Sequence, residues 1–72
     1  MSVTQSLSIK INGEPRSVSA GVSIAGMLAE LGLDPKRIAV ERNLEIVPRS
    51  TLGDVQVSDG DAFEIVHFVG GG

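Results

Sequence analysis

The sequence predicts an α+β domain in which a mixed sheet of four to five strands packs on one helix, in the order β-β-α-β-β-β. Three observations carry that reading. Residues 7–12 alternate strictly between apolar and polar side chains, the mark of a half-buried strand, and the Asn12-Gly13 pair closes the run. From residue 24 the apolar spacing becomes helical, with Ile24, Met27, Leu28 and Leu31 at i, i+3, i+4 and i+7. No second helical period follows, and a lone amphipathic helix can bury its stripe only against one face of the sheet.

Taken in order, the first strand points Leu7, Ile9 and Ile11 one way and Ser8, Lys10 and Asn12 the other. Asn-Gly is the strongest short hairpin signal because both residues tolerate positive φ, so "RSVSA" at residues 16–20 is the return strand. In the helical stretch, Ser23 is placed to cap the N-terminus through its hydroxyl. Gly32 suits the left-handed residue that ends a helix, and Pro35 prevents continuation. Gly26 inside the helix costs about 1 kcal/mol relative to alanine, for which a close helix–sheet approach would be one reason. "IAVERNLEIV" at residues 38–47 reads as a strand with Ile38 and Val40 inward, a turn near Asn43, and a short strand through Ile46 and Val47. Pro48 has no N–H for a ladder, which makes that strand short or an edge. Residues 49–57 are irregular with room for one 3₁₀ turn, "SDGD" is a turn using Gly60, and "AFEIVHF" is the last strand. On that strand Phe63 and Ile65 continue the core face, while Glu64, Val66 and Phe68 point to the open face.

Composition excludes several functions. With 72 residues there is one small domain and no more. A chain this short buries only about 60% of its unfolded surface, which leaves no room for a core plus an enclosed substrate cavity of the usual size. There is no cysteine, hence no disulfide framework, thiolate nucleophile or cysteine-based metal site. The single histidine, His67, makes neither a tetrahedral metal site nor a triad, and it reads as a strand residue partly covered by its neighbours. "DGD" at residues 59–61 lacks the further ligands of a calcium loop. The glycine spacing at residues 21–26 resembles a phosphate loop, but Met27 and Leu28 stand where lysine and a hydroxyl residue are required. No catalytic, metal or cofactor site is expected. Neither a basic stripe nor a stacking surface for nucleic acid is present, and no apolar run approaches a membrane span. The N-terminal residues lack a signal-peptide pattern, so the expected location is the cytoplasm. Net charge is −3, all six Lys and Arg residues lie at or before Arg49, and Asp54, Asp59, Asp61 and Glu64 follow it. The end of the chain thus reads as acidic, which fits either a partner with a complementary basic surface or a solvated acidic face that aids solubility.

The last three residues are Gly70, Gly71 and Gly72. Glycine loses most freedom on ordering, and fixing each tail residue costs about 1–2 kcal/mol, so a segment selected for tight docking would not be built this way. Bare backbone suits access instead: it lets a terminal carboxylate enter another protein's ATP site, where conversion to an acyl-adenylate makes the carboxylate reactive. The expected organisation is a domain over residues 1–68 and a flexible tail over residues 69–72, with Gly70 and Gly71 as the threading segment. Glu64, Val66 and Phe68, joined by Val69, make an expected partner surface beside the tail.

The element order is that of the ubiquitin-like β-grasp. Together with "ERNLEIVPRS" at residues 41–50 and "DGDAFEIVHFVGGG" at residues 59–72, the whole chain resembles the sulfur carrier proteins of thiamin thiazole biosynthesis (the ThiS type). That resemblance implies a carrier and not an enzyme. A ubiquitin-activating-type adenylyltransferase would adenylate the Gly72 carboxylate with ATP, and a persulfide sulfur donor would convert it to a thiocarboxylate. Thiazole synthase would then accept the sulfur. Two related readings share the same adenylate: the small subunit of molybdopterin synthase, and a ubiquitin-like modifier joined to lysines. A plain interaction domain with an inert tail is the third alternative.

Overall fold

The computed structural model describes residues 5–68. Its elements run β1 (Ser6–Ile11), β2 (Glu14–Ser19), α1 (Ile24–Glu30), a 3₁₀ turn (Pro35–Arg37), β3 (Ile38–Arg42), β4 (Glu45–Val47), a second 3₁₀ turn (Arg49–Thr51) and β5 (Ala62–His67). The five strands form one mixed sheet in the order β2-β1-β5-β3-β4. β5 runs parallel to β1 and antiparallel to β3, so the last strand is inserted at the centre. This is the β-grasp arrangement the element order implies.

Both hairpins turn through paired left-handed residues. Asn12 (φ 51°) and Gly13 (φ 84°) join β1 to β2, and Asn43 (φ 51°) and Leu44 (φ 72°) join β3 to β4. Two consecutive positive φ values match the right-handed twist of the flanking strands. The helix is fixed at both ends by its sequence. The Gly26 N–H donates to Ser23 Oγ at 3.0 Å. Past the C-terminus, Gly32 (φ 74°) donates to the Ala29 carbonyl and Leu33 to the Leu28 carbonyl, which satisfies two carbonyls left open by the last turn. Gly26 is not explained by a close helix–sheet approach. A Cβ there would meet Val22 Cβ at 3.4 Å and Ser23 Oγ at 3.5 Å, both in the helix's own entry.

Ile24, Met27 and Leu28 are fully buried against Ile9, Val18, Ile38, Val40, Phe63 and Ile65, the inward residues of the sheet. Leu52 and Val57, from the irregular stretch before β5, complete this core. That stretch is tied down by backbone bonds from Ile24 to the Val55 carbonyl and from Val57 to the Val22 carbonyl. Pro48 follows β4, which is the three-residue edge strand at one side of the sheet.

Candidate functional site

β5 leads to the glycines, and three polar devices hold it in place. Asn12 pairs with it as though the first strand continued: the Ile65 N–H donates to Asn12 Oδ1 at 2.7 Å and Asn12 Nδ2 donates to the Ile65 carbonyl at 3.1 Å. Asn43 does the same from the other side. Its N–H donates to the Ala62 carbonyl at 2.8 Å, and the Ala62 N–H donates to Asn43 Oδ1 at 3.0 Å. Each asparagine thus supplies both the left-handed turn and a side-chain amide that mimics backbone.

The third device is Asp61, the buried charged residue at the start of β5. Its Oδ2 accepts from Arg42 Nε at 2.9 Å and from the Ser58 N–H at 2.8 Å, and its Oδ1 accepts from Asn43 Nδ2 at 3.2 Å. Burial pushes the Asp61 carboxyl up. The hydrogen bonds from Ser58, Asn43 and Arg42, with the Arg42 charge, outweigh that and hold it below the ordinary carboxylate value. Sequence reasoning read Asp61 only as part of a turn, because nothing local marks the partner 19 residues away. The turn itself is as expected, with Gly60 at φ 88°.

Of the residues expected to meet a partner, Glu64, Val66 and Phe68 are all exposed on or just beyond β5. Val66 is 60% exposed and Phe68 55%. Strand pairing extends this surface in a way the linear sequence does not indicate. Ala39 stands opposite Val66, Glu41 opposite Glu64, and Ile46 opposite Glu41. The open face of β5, β3 and β4 is therefore apolar, with two facing carboxylates set in it. Val69, Gly70, Gly71 and Gly72 lie outside the described residues.

The charge distribution differs from the expectation of an acidic end. Asp59 and Asp61 lie in the turn that precedes β5, where the Ser8 N–H donates to Asp59 Oδ1 at 2.7 Å and Asp61 is engaged by Arg42. At the finish of the strand the neighbours are basic. The Phe68 N–H donates to the Arg37 carbonyl at 2.9 Å. The Arg49 guanidinium lies over the Phe68 ring, 5.9 Å from its centroid, and donates to the Ile38 carbonyl at 3.3 Å.

His67 faces the helix side, opposite Ile38. It is exposed, not partly covered, at a cleft formed with Ile11, Arg16, Leu31 and Leu33. Among the described residues no group of three or more His, Cys, Asp or Glu is placed to hold a metal, and no helix is long and apolar enough to cross a membrane. A cleft of about 270 Å³ beside the β3–β4 hairpin, lined by Arg42, Ile46 and Pro48 among others, falls short of the size usual for small-molecule sites, about 300–1,000 Å³.

Comparison with known proteins places this geometry. Residues 9–72 match the ThiS family model. A thiazole synthase of Paramagnetospirillum magneticum is 53% identical over 66 residues, which are 92% of this chain and 20% of that protein. The chain therefore spans only a fifth of the length of that relative. The sulfur carrier protein ThiS of Bacillus subtilis is 46% identical over 50 residues, 69% of this chain and 76% of that one. Among solved structures, a crystal structure of the thiamine biosynthesis protein ThiS from Geobacter metallireducens superposes with a TM-score of 0.77 at 30% identity, covering 92% of this chain and all of that one.

Proposed function

The chain belongs to the ThiS family, and from that premise we propose that it is a cytoplasmic sulfur carrier for thiamin thiazole biosynthesis whose working group is the Gly72 carboxylate. It is the substrate of other enzymes and binds no cofactor of its own. The observation that supports this most is the family match running through residue 72, joined to a fold that ends its central strand beside an open apolar face.

The chemistry needs four steps. An adenylyltransferase of the ubiquitin-activating type lets the Gly72 carboxylate attack the α-phosphorus of ATP, which releases pyrophosphate and leaves an acyl-adenylate. The outer sulfur of a persulfide on a donor protein attacks the acyl carbon and AMP departs. A thiol then breaks the sulfur–sulfur bond, giving a disulfide and a thiocarboxylate on Gly72. Thiazole synthase takes the sulfur onto its substrate while an oxygen from water or from that substrate replaces it on the acyl carbon, and the carboxylate is restored. Gly70 and Gly71 are the threading segment, since bare backbone passes where a Cβ would demand a wider channel. The folded domain supplies recognition through Glu64, Val66 and Phe68, with Val69 next in sequence. The thiazole synthase of P. magneticum, of which a segment like this chain makes up a fifth, supports that enzyme as the acceptor.

The test is an intact-mass measurement after incubation with ATP, an adenylyltransferase and a persulfide donor. Replacement of one oxygen by sulfur, lost on deletion of Gly72, is the expected result. A ladder of lysine-linked conjugates would instead establish the modifier reading, and an unmodified chain beside an active adenylyltransferase would overturn the carrier role.

A further inference from the structure

The finish of β5 is bordered by Arg37 and Arg49, and Lys36 adjoins Arg37 on the same 3₁₀ turn. Lys36 and Arg37 come from the 3₁₀ turn before β3, and Arg49 from the turn after β4. The fold brings Arg37 and Arg49 together because Phe68 bonds to the Arg37 carbonyl while Arg49 spans from the Ile38 carbonyl to the Phe68 ring. One carboxylate, Asp34, stands among them, and it is already engaged: Oδ1 accepts from the Lys36 N–H at 2.9 Å and Oδ2 lies 3.7 Å from Arg37 Nε. The Arg37 side chain is 81% exposed in that pair, so a partner can reach it. Arg37, with Lys36 before it, and Arg49 thus stand by Phe68, the last described residue of a chain with net charge −3.

We propose that Lys36, Arg37 and Arg49 form a docking collar that reads an acidic rim around the mouth of the adenylyltransferase site entered by the tail. The proposal rests on the carrier reading above and adds to it the chemistry of the partner surface. Tail length decides what the collar meets. Four extended residues beyond Phe68 span at most about 14 Å, so with the Gly72 carboxylate at the reacting phosphorus the collar lies at the entrance and not at the nucleotide. The occupant is therefore a protein surface bearing carboxylates. Charges at such a rim act mainly on encounter and orientation, and their effect weakens with salt.

The experiment is ATP–pyrophosphate exchange by an adenylyltransferase that accepts the wild-type chain, measured against carrier concentration at low and high salt. Lys36→Glu and Arg37→Glu, both at exposed positions, are each expected to raise the KM for the carrier about fivefold at low salt with kcat unchanged. That difference should shrink toward none near 1 M salt, where the screening length is about 3 Å. Arg49→Gln is read the same way after a melt, because it also removes the bond to Ile38. Lys10→Glu makes an identical change of charge at the other end of β5, opposite Ala62, and is expected not to raise KM. An unchanged KM in Lys36→Glu and Arg37→Glu, or an equal rise in Lys10→Glu, overturns the collar and leaves the carrier role standing. Exchange that no such adenylyltransferase supports with the wild-type chain overturns both.

Discussion

Replacing Asp61 by asparagine separates the charge of the β5 clamp from its shape. Asp61 is 5% exposed and receives three hydrogen bonds, from Arg42 Nε, the Ser58 N–H and Asn43 Nδ2. An asparagine retains one acceptor oxygen, but its NH₂ must then face at least one donor, and the ionic bond to Arg42 is lost. Breaking a fully buried pair costs about 3–5 kcal/mol. Here the Arg42 side chain keeps 27% of its exposure and regains some hydration, which brings Asp61→Asn to about 2–3 kcal/mol. Asp61→Ala also strands the Ser58 N–H, for roughly 1 kcal/mol more. Domains of this size are stable by about 5–10 kcal/mol, so either loss is easily read by urea denaturation. A cycle with Arg42→Gln should return a coupling of about 1–2 kcal/mol. The sign of the pH dependence follows from the lowered carboxyl. Its contribution is complete above the unfolded value near 3.8 and is lost as pH falls through the lower folded value. The gap between wild type and Asp61→Asn should thus be constant above about pH 5 and narrow only in stronger acid. A loss under 0.5 kcal/mol, or a gap unchanged down to the acid midpoint, would refute the clamp.

Phe68→Ala should weaken adenylyltransferase binding roughly 10–100-fold while shifting the melting temperature by only a few degrees, because over half of the ring is exposed in the free domain; comparable losses of both would assign Phe68 to the fold. Leu44→Gly should stabilise the domain by about 0.5–1 kcal/mol, since Leu44 holds φ 72° while 87% exposed and Gly is the favoured residue there; a lower urea midpoint would contradict this. Gly26→Ala should gain up to about 1 kcal/mol, as the new Cβ fits against Val22 and Ser23; a destabilised helix would show that those contacts are too tight. Glu64→Gln should raise stability by a few tenths of a kcal/mol by removing a like charge opposite Glu41 yet weaken docking, so a change of the same sign in both assays would remove the carboxylate pair from the partner surface.

Elements with a period were legible in the sequence, and contacts without one were not. Alternation placed Ile9, Ile38, Val40, Phe63 and Ile65 inward, helical spacing placed Ile24, Met27 and Leu28, and all eight are buried. Leu52 and Val57 come from a segment with no period, and only backbone bonds to the helix entry and to Val22 commit them to the core. The 3₁₀ turn Pro35–Arg37 was hidden behind a proline read simply as a helix stop. Asn12 and Asn43 were legible as turn residues, but their amides reach β5, 53 and 19 residues away, a distance no local pattern encodes. The open face was visible from alternation on β5 alone; its extension through Ala39, Glu41 and Ile46 required knowing which strand lies beside it.

The same limit bears on the charge at the end of β5. Four acids follow Arg49 in the sequence, and reading them as one acidic end assumes that neighbours in sequence are neighbours in space. A six-residue strand separates its ends by roughly 20 Å. The turn that enters β5 carries Asp59 and Asp61, and the strand delivers Phe68 to Arg37 and Arg49 at its finish. The central position of β5 is what makes this matter. Glycines have no side chains to be read, so a partner that must accept this tail and refuse others can discriminate only through the domain beside it. Insertion between β1 and β3 places an apolar, carboxylate-bearing face along the strand and a cationic group at its end. A surface complementary to both is cationic where it meets Glu41 and Glu64 and anionic where it meets Lys36, Arg37 and Arg49. Under the proposed docking, such a surface would accept the domain in one orientation, the one that aims the glycines into the site.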